Sequence, residues 1–153
     1  MTDKKVDIDQ MMIDEWRELG FYYDFNDHLN QWRFFGSRQG LSNFVKLLDE
    51  YVSNPSNDQL FEHEHYGPYM QLKIITLEEQ NVINDNAIGG TINDLKRLRN
   101  LLAGKIEKTL VGQTFTIDKD YGEDNTATTQ FFIMPDNFDP VSMDNLILTK
   151  DKI

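Results

Sequence analysis

Apolar side chains recur at helical spacing in three stretches of the chain. Over residues 9–19, Met12, Ile13, Trp16 and Leu19 alternate with Asp14, Glu15, Arg17 and Glu18. This predicts a short amphipathic helix ending at Gly20, though the piece is too short for periodicity alone to exclude a strand. From Gly40, the residues Leu41, Phe44, Val45, Leu48, Tyr51 and Val52 share one face, opposite Lys46, Asp49 and Glu50. That second helix stops in Ser53-Asn54-Pro55-Ser56-Asn57, because Pro55 cannot continue it. Thr91-Ile92-Asn93-Asp94 reads as a capping box with Asp in place of the usual Glu or Gln. It opens a third helix with Leu95, Leu98, Leu101, Leu102, Ile106 and Leu110 as its stripe. Gly104 inside it costs up to about 1 kcal/mol relative to Ala and reads as the mark of a close packing contact.

Between the helices the period falls to two. Residues 21–25 and 31–35 are aromatic runs of strand character joined by the turn-rich 26–30, a hairpin with aromatic cross-strand pairs. Residues 69–77 predict a strand with Met70, Leu72 and Ile74 inward and Gln71, Lys73 and Ile75 outward. Residues 78–81 read as a turn, with a short return strand around Ala87-Ile88. Residues 114–117 and 129–134 predict a second hairpin with a long exposed loop. Residues 53–68 read as a polar connection without secondary structure of its own, and loops of that length in a compact domain are more often functional than idle. From Pro135 the chain turns irregular, with fraying expected at about 1–8 and 142–153. The expectation is one α+β domain over 1–153, a mostly antiparallel sheet with two amphipathic helices packed on one face.

Composition narrows the function. Ten Phe, six Tyr and two Trp supply large apolar groups for a core, and there is no cysteine, so disulfides, zinc ribbons and thiol catalysis are excluded. The N-terminal residues lack the apolar run of a signal peptide, and no window approaches a membrane span, so a cytoplasmic protein without membrane partners is expected. A net charge of −11 argues against nucleic acid as a partner, since phosphates demand local positive charge. Residues 1–30 and 118–153 each carry three basic and eight acidic side chains, whereas 31–117 carry nine and ten. If the ends meet in the fold, they form an acidic face able to steer a basic partner.

The titratable chemistry concentrates in Glu62-His63-Glu64-His65-Tyr66-Gly67-Pro68-Tyr69, which holds two of the three histidines. On an extended strand His63 and His65 point one way and Glu62 and Glu64 the other. A metal needs three or four converging ligands, and His28 is the only further imidazole. A metal-dependent hydrolase using His63, His65 and a carboxylate is therefore the enzymatic alternative, and polar contacts with a partner are the main reading. Asp24, Asp27 and His28 read as a solvated turn rather than acid/base machinery. Gly89-Gly90-Thr91 precedes a helix but lacks the lysine of a phosphate loop and the third glycine of a dinucleotide fingerprint, so no cofactor is implied. The aromatic hairpin exceeds what one small sheet face buries, which makes Tyr22 and Trp32 candidate recognition residues.

The runs Leu19-Gly20-Phe21-Tyr22-Tyr23-Asp24, Trp32 to Gly36 leading into Gly40-Leu41, the 62–69 run and Gly90-Thr91-Ile92-Asn93-Asp94-Leu95 resemble the small immunity proteins encoded beside bacterial polymorphic toxins. The resemblance spans residues 16–110. It implies a non-enzymatic α+β protein that neutralises a cognate toxin by binding it, often at or beside the toxin's active site. A basic toxin such as a nuclease suits the acidic surface. The candidate contacts are then Tyr22, Trp32, Glu62, His63, Glu64, His65 and Tyr66. A module that self-associates through the aromatic hairpin, and so forms a homodimer, is the third alternative.

Overall fold

A computed structural model describes residues 7–122 and 125–147. In chain order the elements are α1 (Ile8–Leu19), β1 (Tyr22–Asn26), β2 (Gln31–Gly36), α2 (Arg38–Ser53), a 3-10 turn Pro55–Asp58, β3 (His63–Tyr66), β4 (Leu72–Thr76), β5 (Val82–Ile83), β6 (Ile88–Gly90), α3 (Ile92–Lys108), β7 (Thr114–Phe115), α4 (Asp118–Tyr121), β8 (Thr128–Ile133) and a 3-10 turn Pro140–Met143. The class is α+β, as the periodicities predict.

Polar side chains start the long helices. Asp7 accepts from Gln10 N, Ser37 from Gly40 N, and Thr91 and Asp94 cap one another's backbone reciprocally. Gly20 closes α1 in the left-handed region. The chain then doubles back so closely that a Cβ on Gly40 would lie 2.1 Å from the Gly20 carbonyl oxygen, which leaves room only for glycine.

The strands form two sheets rather than one, ordered β1-β2-β8-β7 and β3-β4-β6-β5. Each is two antiparallel pairs joined through parallel inner strands, β2 with β8 and β4 with β6. Both predicted antiparallel pairs are present, but the connection of the second is no exposed loop: it contains α4 and buries Ile117, Tyr121 and Ala127. Across the first sheet Phe34 stacks on Phe131 with centroids 4.3 Å apart, Phe35 on Phe132 at 4.4 Å, and Phe115 on Phe131 at 4.7 Å. These offset and stacked pairs add roughly 0.5–1.5 kcal/mol each beyond area burial. Helices α2 and α3 pack on one another, α2 also on β2 and α3 on β6, so one core contains Leu41, Phe44, Leu48, Leu95, Leu98 and Leu102. Polar tips of sheet-one aromatics tie the sheets together. The Tyr23 hydroxyl donates to Tyr66 O and accepts from Gln71 N and Leu72 N, and Trp32 Nε1 donates to Asn84 O at 2.7 Å.

Several expectations change. Residues 53–68 are not structureless, because the 3-10 turn and β3 lie within them. Met70 points outward and is 59% exposed, while Leu72 and Ile74 are buried. Leu110 lies beyond the end of α3 and is exposed, and no atom stands within 4 Å of a Cβ built on Gly104, so that glycine marks no packing contact. Of the ends expected to fray, residues 1–6 and 148–153 lie outside the described residues. Residues 142–147, in contrast, are packed, with Asp144 and Ile147 buried. Chain ends do meet: Arg17 pairs with Asp139 at 2.8 Å, and Trp16 reaches Asp144. Among the described residues no helix is long and apolar enough to cross a membrane.

Candidate functional site

β3 is an outer strand of its sheet, antiparallel to β4, and His63, Glu64 and His65 are exposed. A buried polar network fixes where it begins. The Tyr51 hydroxyl lies 2.8 Å from Glu62 O and 2.7 Å from Thr76 Oγ1, Thr76 Oγ1 donates to Asn57 O, and Asn57 Nδ2 donates back to Tyr51 O. Helix α2, the 3-10 turn and β4 therefore converge on Glu62, the residue immediately before β3.

The entry to β3 is irregular. Phe61 N donates to Thr76 O and Thr76 N donates to Glu62 O, so two residues oppose Thr76 in a β-bulge. The first bulge residue is left-handed, which is ordinarily glycine's place, yet it is Phe61 at φ 69° with its side chain 63% exposed. At the other end of the β3–β4 hairpin Met70 is left-handed as well, at φ 54°. Each such non-glycine residue costs about 1–2 kcal/mol, and neither recovers it by burying its side chain.

The histidines serve these two residues. His63 Nδ1–H donates to Phe61 O at 3.1 Å, and His65 Nδ1–H donates to Met70 O at 3.0 Å. Since a carbonyl only accepts, Nδ1 carries the proton in both rings and Nε2 is the remaining position. The rings stand edge to face, 5.2 Å apart, on the side of the sheet shared by their cross-strand partners Ile75 and Lys73. Glu64 and Tyr66 occupy the other side, where the Tyr66 hydroxyl donates to Glu64 Oε2 at 3.2 Å. Burial first, and then the Glu64 carboxylate, push the Tyr66 hydroxyl pKa well above the usual tyrosine value.

Around the bulge, Leu60, Phe61 and Leu77 line a surface hollow with Glu78, Glu79 and Gln80, and Asp58 lines the adjoining one. At the hairpin end His65, Met70 and Lys73 line a cleft with Asp27 and Asp85. Among the described residues no three His, Asp or Glu side chains are placed to hold a metal ion.

The structure thus brings Glu62, His63, Glu64, His65 and Tyr66 onto one edge. Tyr22 belongs to β1 in the other sheet, half-buried, its ring 4.7 Å from Trp16 and its hydroxyl 3.4 Å from Asp24. Trp32 is withdrawn as a surface contact: it is 1% exposed, because β2 turns the indole inward between Tyr23, Phe25 and Phe34. Asp24 is no turn residue either, since Arg33 clasps it from the paired strand at 2.7 and 2.8 Å. Sequence reasoning missed Phe61 and Met70. The apolar pair Leu60-Phe61 inside a polar stretch was the available signal for the first. No family model matches the chain, and no match was found among curated proteins or solved structures.

Proposed function

We propose that this chain is a non-enzymatic, immunity-like protein that binds a basic partner protein through the β3 edge and so neutralises it. The observation carrying this reading is Phe61, an exposed aromatic held in a glycine conformation at a β-bulge. Left-handed strain without burial is costly to the folded chain alone, and exposed aromatics are the side chains that anchor protein interfaces. Charge supplies the second support. Glu64 lies on the strand and Glu62 immediately before it, with Asp58, Glu78 and Glu79 lining the hollows at its bulged end, within a chain of net charge −11. A partner toxin with a basic surface, such as a nuclease, meets that edge with complementary sign.

The test uses the full chain as bait for proteins of its source cell and for the polypeptide encoded next door. One basic protein should be retained at about 0.05 M salt and released by about 0.5 M, where screening is severe. Its enzymatic activity should fall when the chain is added. The double change Glu62→Lys with Glu64→Lys should abolish retention. Retention indifferent both to salt and to that double change would overturn the reading.

A further inference from the structure

Among the described residues the two sheets present four outer strands, and three of them are short or lie beside another segment. β1 has the 140–143 turn against it. β5 is two residues long, and Ile83 on it already bonds to the 125–127 segment: its N–H to Asn125 Oδ1, its carbonyl to the N–H groups of Thr126 and Ala127. β7 is also two residues long. β3 offers four residues, three of them exposed, whereas no residue of the five-residue β1 is exposed.

The ladder phase shows which groups it offers. Thr76 N donates to Glu62 O, so the inward-bonding positions of the outer strand are Glu62, Glu64 and Tyr66. By the alternation of antiparallel pairing, the backbone N–H and C=O of His63 and His65 point away from the sheet. Proteins ordinarily guard such an edge with a bulge, charge or covering segment. Here the guard consists of the bulge at Phe61 and the carboxylates of Glu62 and Glu64.

That guard discriminates between occupants. A second copy of the chain meets like charge in two of its registers: pairing two β3 strands about Glu64 sets the two Glu64 carboxylates opposite, and pairing about His63 sets Glu62 opposite Glu64, while pairing about His65 sets Glu64 opposite Tyr66 and gains no opposite charge. Like charges in those positions destabilise a sheet. An incoming strand with lysine or arginine at alternate positions gains where the copy loses. The ring nitrogens of His63 and His65 already satisfy Phe61 O and Met70 O at the two ends, which leaves the outward groups of the strand itself for a new ladder. Phe61 and Met70, exposed at opposite ends, add apolar contact area. We infer that β3 accepts an extended basic segment of the partner as a fifth strand of its sheet. The inference rests on the binding reading proposed above and adds to it the mode of engagement.

The probe is a short, end-blocked peptide of alternating lysine and valine, titrated into the full chain. Binding should saturate, and amide hydrogen exchange at His63 and His65 should slow by roughly tenfold or more at saturation. The same peptide N-methylated at alternate amides should not bind. His65→Pro removes one outward N–H that the fold does not use, a replacement tolerated on an edge. It should weaken binding at least about tenfold, while His65→Ala stays within about threefold. Absence of saturation up to about 1 mM, equal binding of the methylated peptide, or unchanged exchange at these amides overturns the inference. A dimer of the chain alone that protects the same amides also overturns it. Should His65→Pro still capture a basic protein as well as the unsubstituted chain, strand addition falls while the capture reading stands.

Discussion

Trp16 Nε1 donates a buried hydrogen bond of 2.9 Å to Asp144 Oδ2, joining positions 128 residues apart. The same oxygen accepts from the Tyr69 hydroxyl at 2.7 Å, and the other carboxylate oxygen accepts from Leu146 N and Ile147 N. One side chain thereby holds α1, the β3–β4 turn and the last two described residues.

Replacing Asp144 with alanine strands the buried Trp16 donor and the half-buried Tyr69 hydroxyl, and uncaps the backbone after it. Unsatisfied buried groups cost about 1–3 kcal/mol each and a lost cap about 1. Asp144→Ala should lower unfolding stability by about 3 kcal/mol in urea titrations, with Asp144→Asn, which retains one acceptor oxygen, costing less. An unchanged urea midpoint for the alanine variant would show that the carboxylate does not tie these segments together.

Gly104 offers the opposite test. It sits inside α3 with open space where a Cβ would go, and its φ is not in the left-handed region. Gly104→Ala should raise stability by about 0.5–1 kcal/mol, through helix propensity and a less flexible unfolded chain. A loss of stability would mean that α3 has a neighbour at this point.

Phe61→Gly separates folding from binding at one position. Relief of left-handed strain favours the folded chain by about 1–2 kcal/mol, against about 0.4–1 from the freer unfolded chain. Stability should therefore stay level or rise by up to about 1 kcal/mol, whereas capture of the basic partner should weaken. If denaturation shows a loss instead, the ring is packing for the fold and not presented to a partner.

Alkaline pH should unfold the chain. Burial is the largest cause raising the hydroxyl pKa of Tyr22, Tyr66, Tyr69 and Tyr121 above the ordinary 10.0. Above pH 10 the unfolded chain releases protons that the folded chain keeps, so it binds fewer, and stability falls as pH rises. Below that pH the contribution is fully present. The urea midpoint should decline as pH rises above about 10, with phenolate absorbance appearing in step with unfolding, and Tyr66→Phe should make the decline shallower. Tyrosines that all ionise at the ordinary value in the folded protein would sink this account.

The three long helices and the first hairpin were legible because their signals are local, whereas α4 lies in what reads as an exposed loop. The Thr91 and Asp94 cap, Gly20 after α1 and the alternation of Phe21, Tyr23 and Phe25 each need only a few neighbouring residues to be read. The division into two sheets was not legible, since it depends on β2 choosing β8, and nothing near residue 31 names a strand that begins at residue 128. At the candidate site the histidine spacing was readable, as both rings do share one side of β3. The bulge was not, because a phenylalanine in a left-handed position contradicts every local preference and is held there by Thr76 from the opposite strand. Trp32 misled for a related reason: an aromatic on a small hairpin reads as surplus until the second sheet arrives to cover it.

The nesting of one sheet inside the other sets the order in which a nascent chain can fold. Every pairing within β3-β4-β6-β5 closes inside residues 63–90, so that sheet can assemble early. β2, in contrast, waits with an open inner edge until β8 has been synthesised, with Gln31 meeting Thr128 and Gly36 meeting Ile133. Such distant pairing is slow, and during the wait Phe34 lacks Phe131 and Phe35 lacks Phe132. A chain truncated before residue 128 therefore carries an uncovered aromatic strand, and its fate is aggregation or proteolysis rather than a partly working protein.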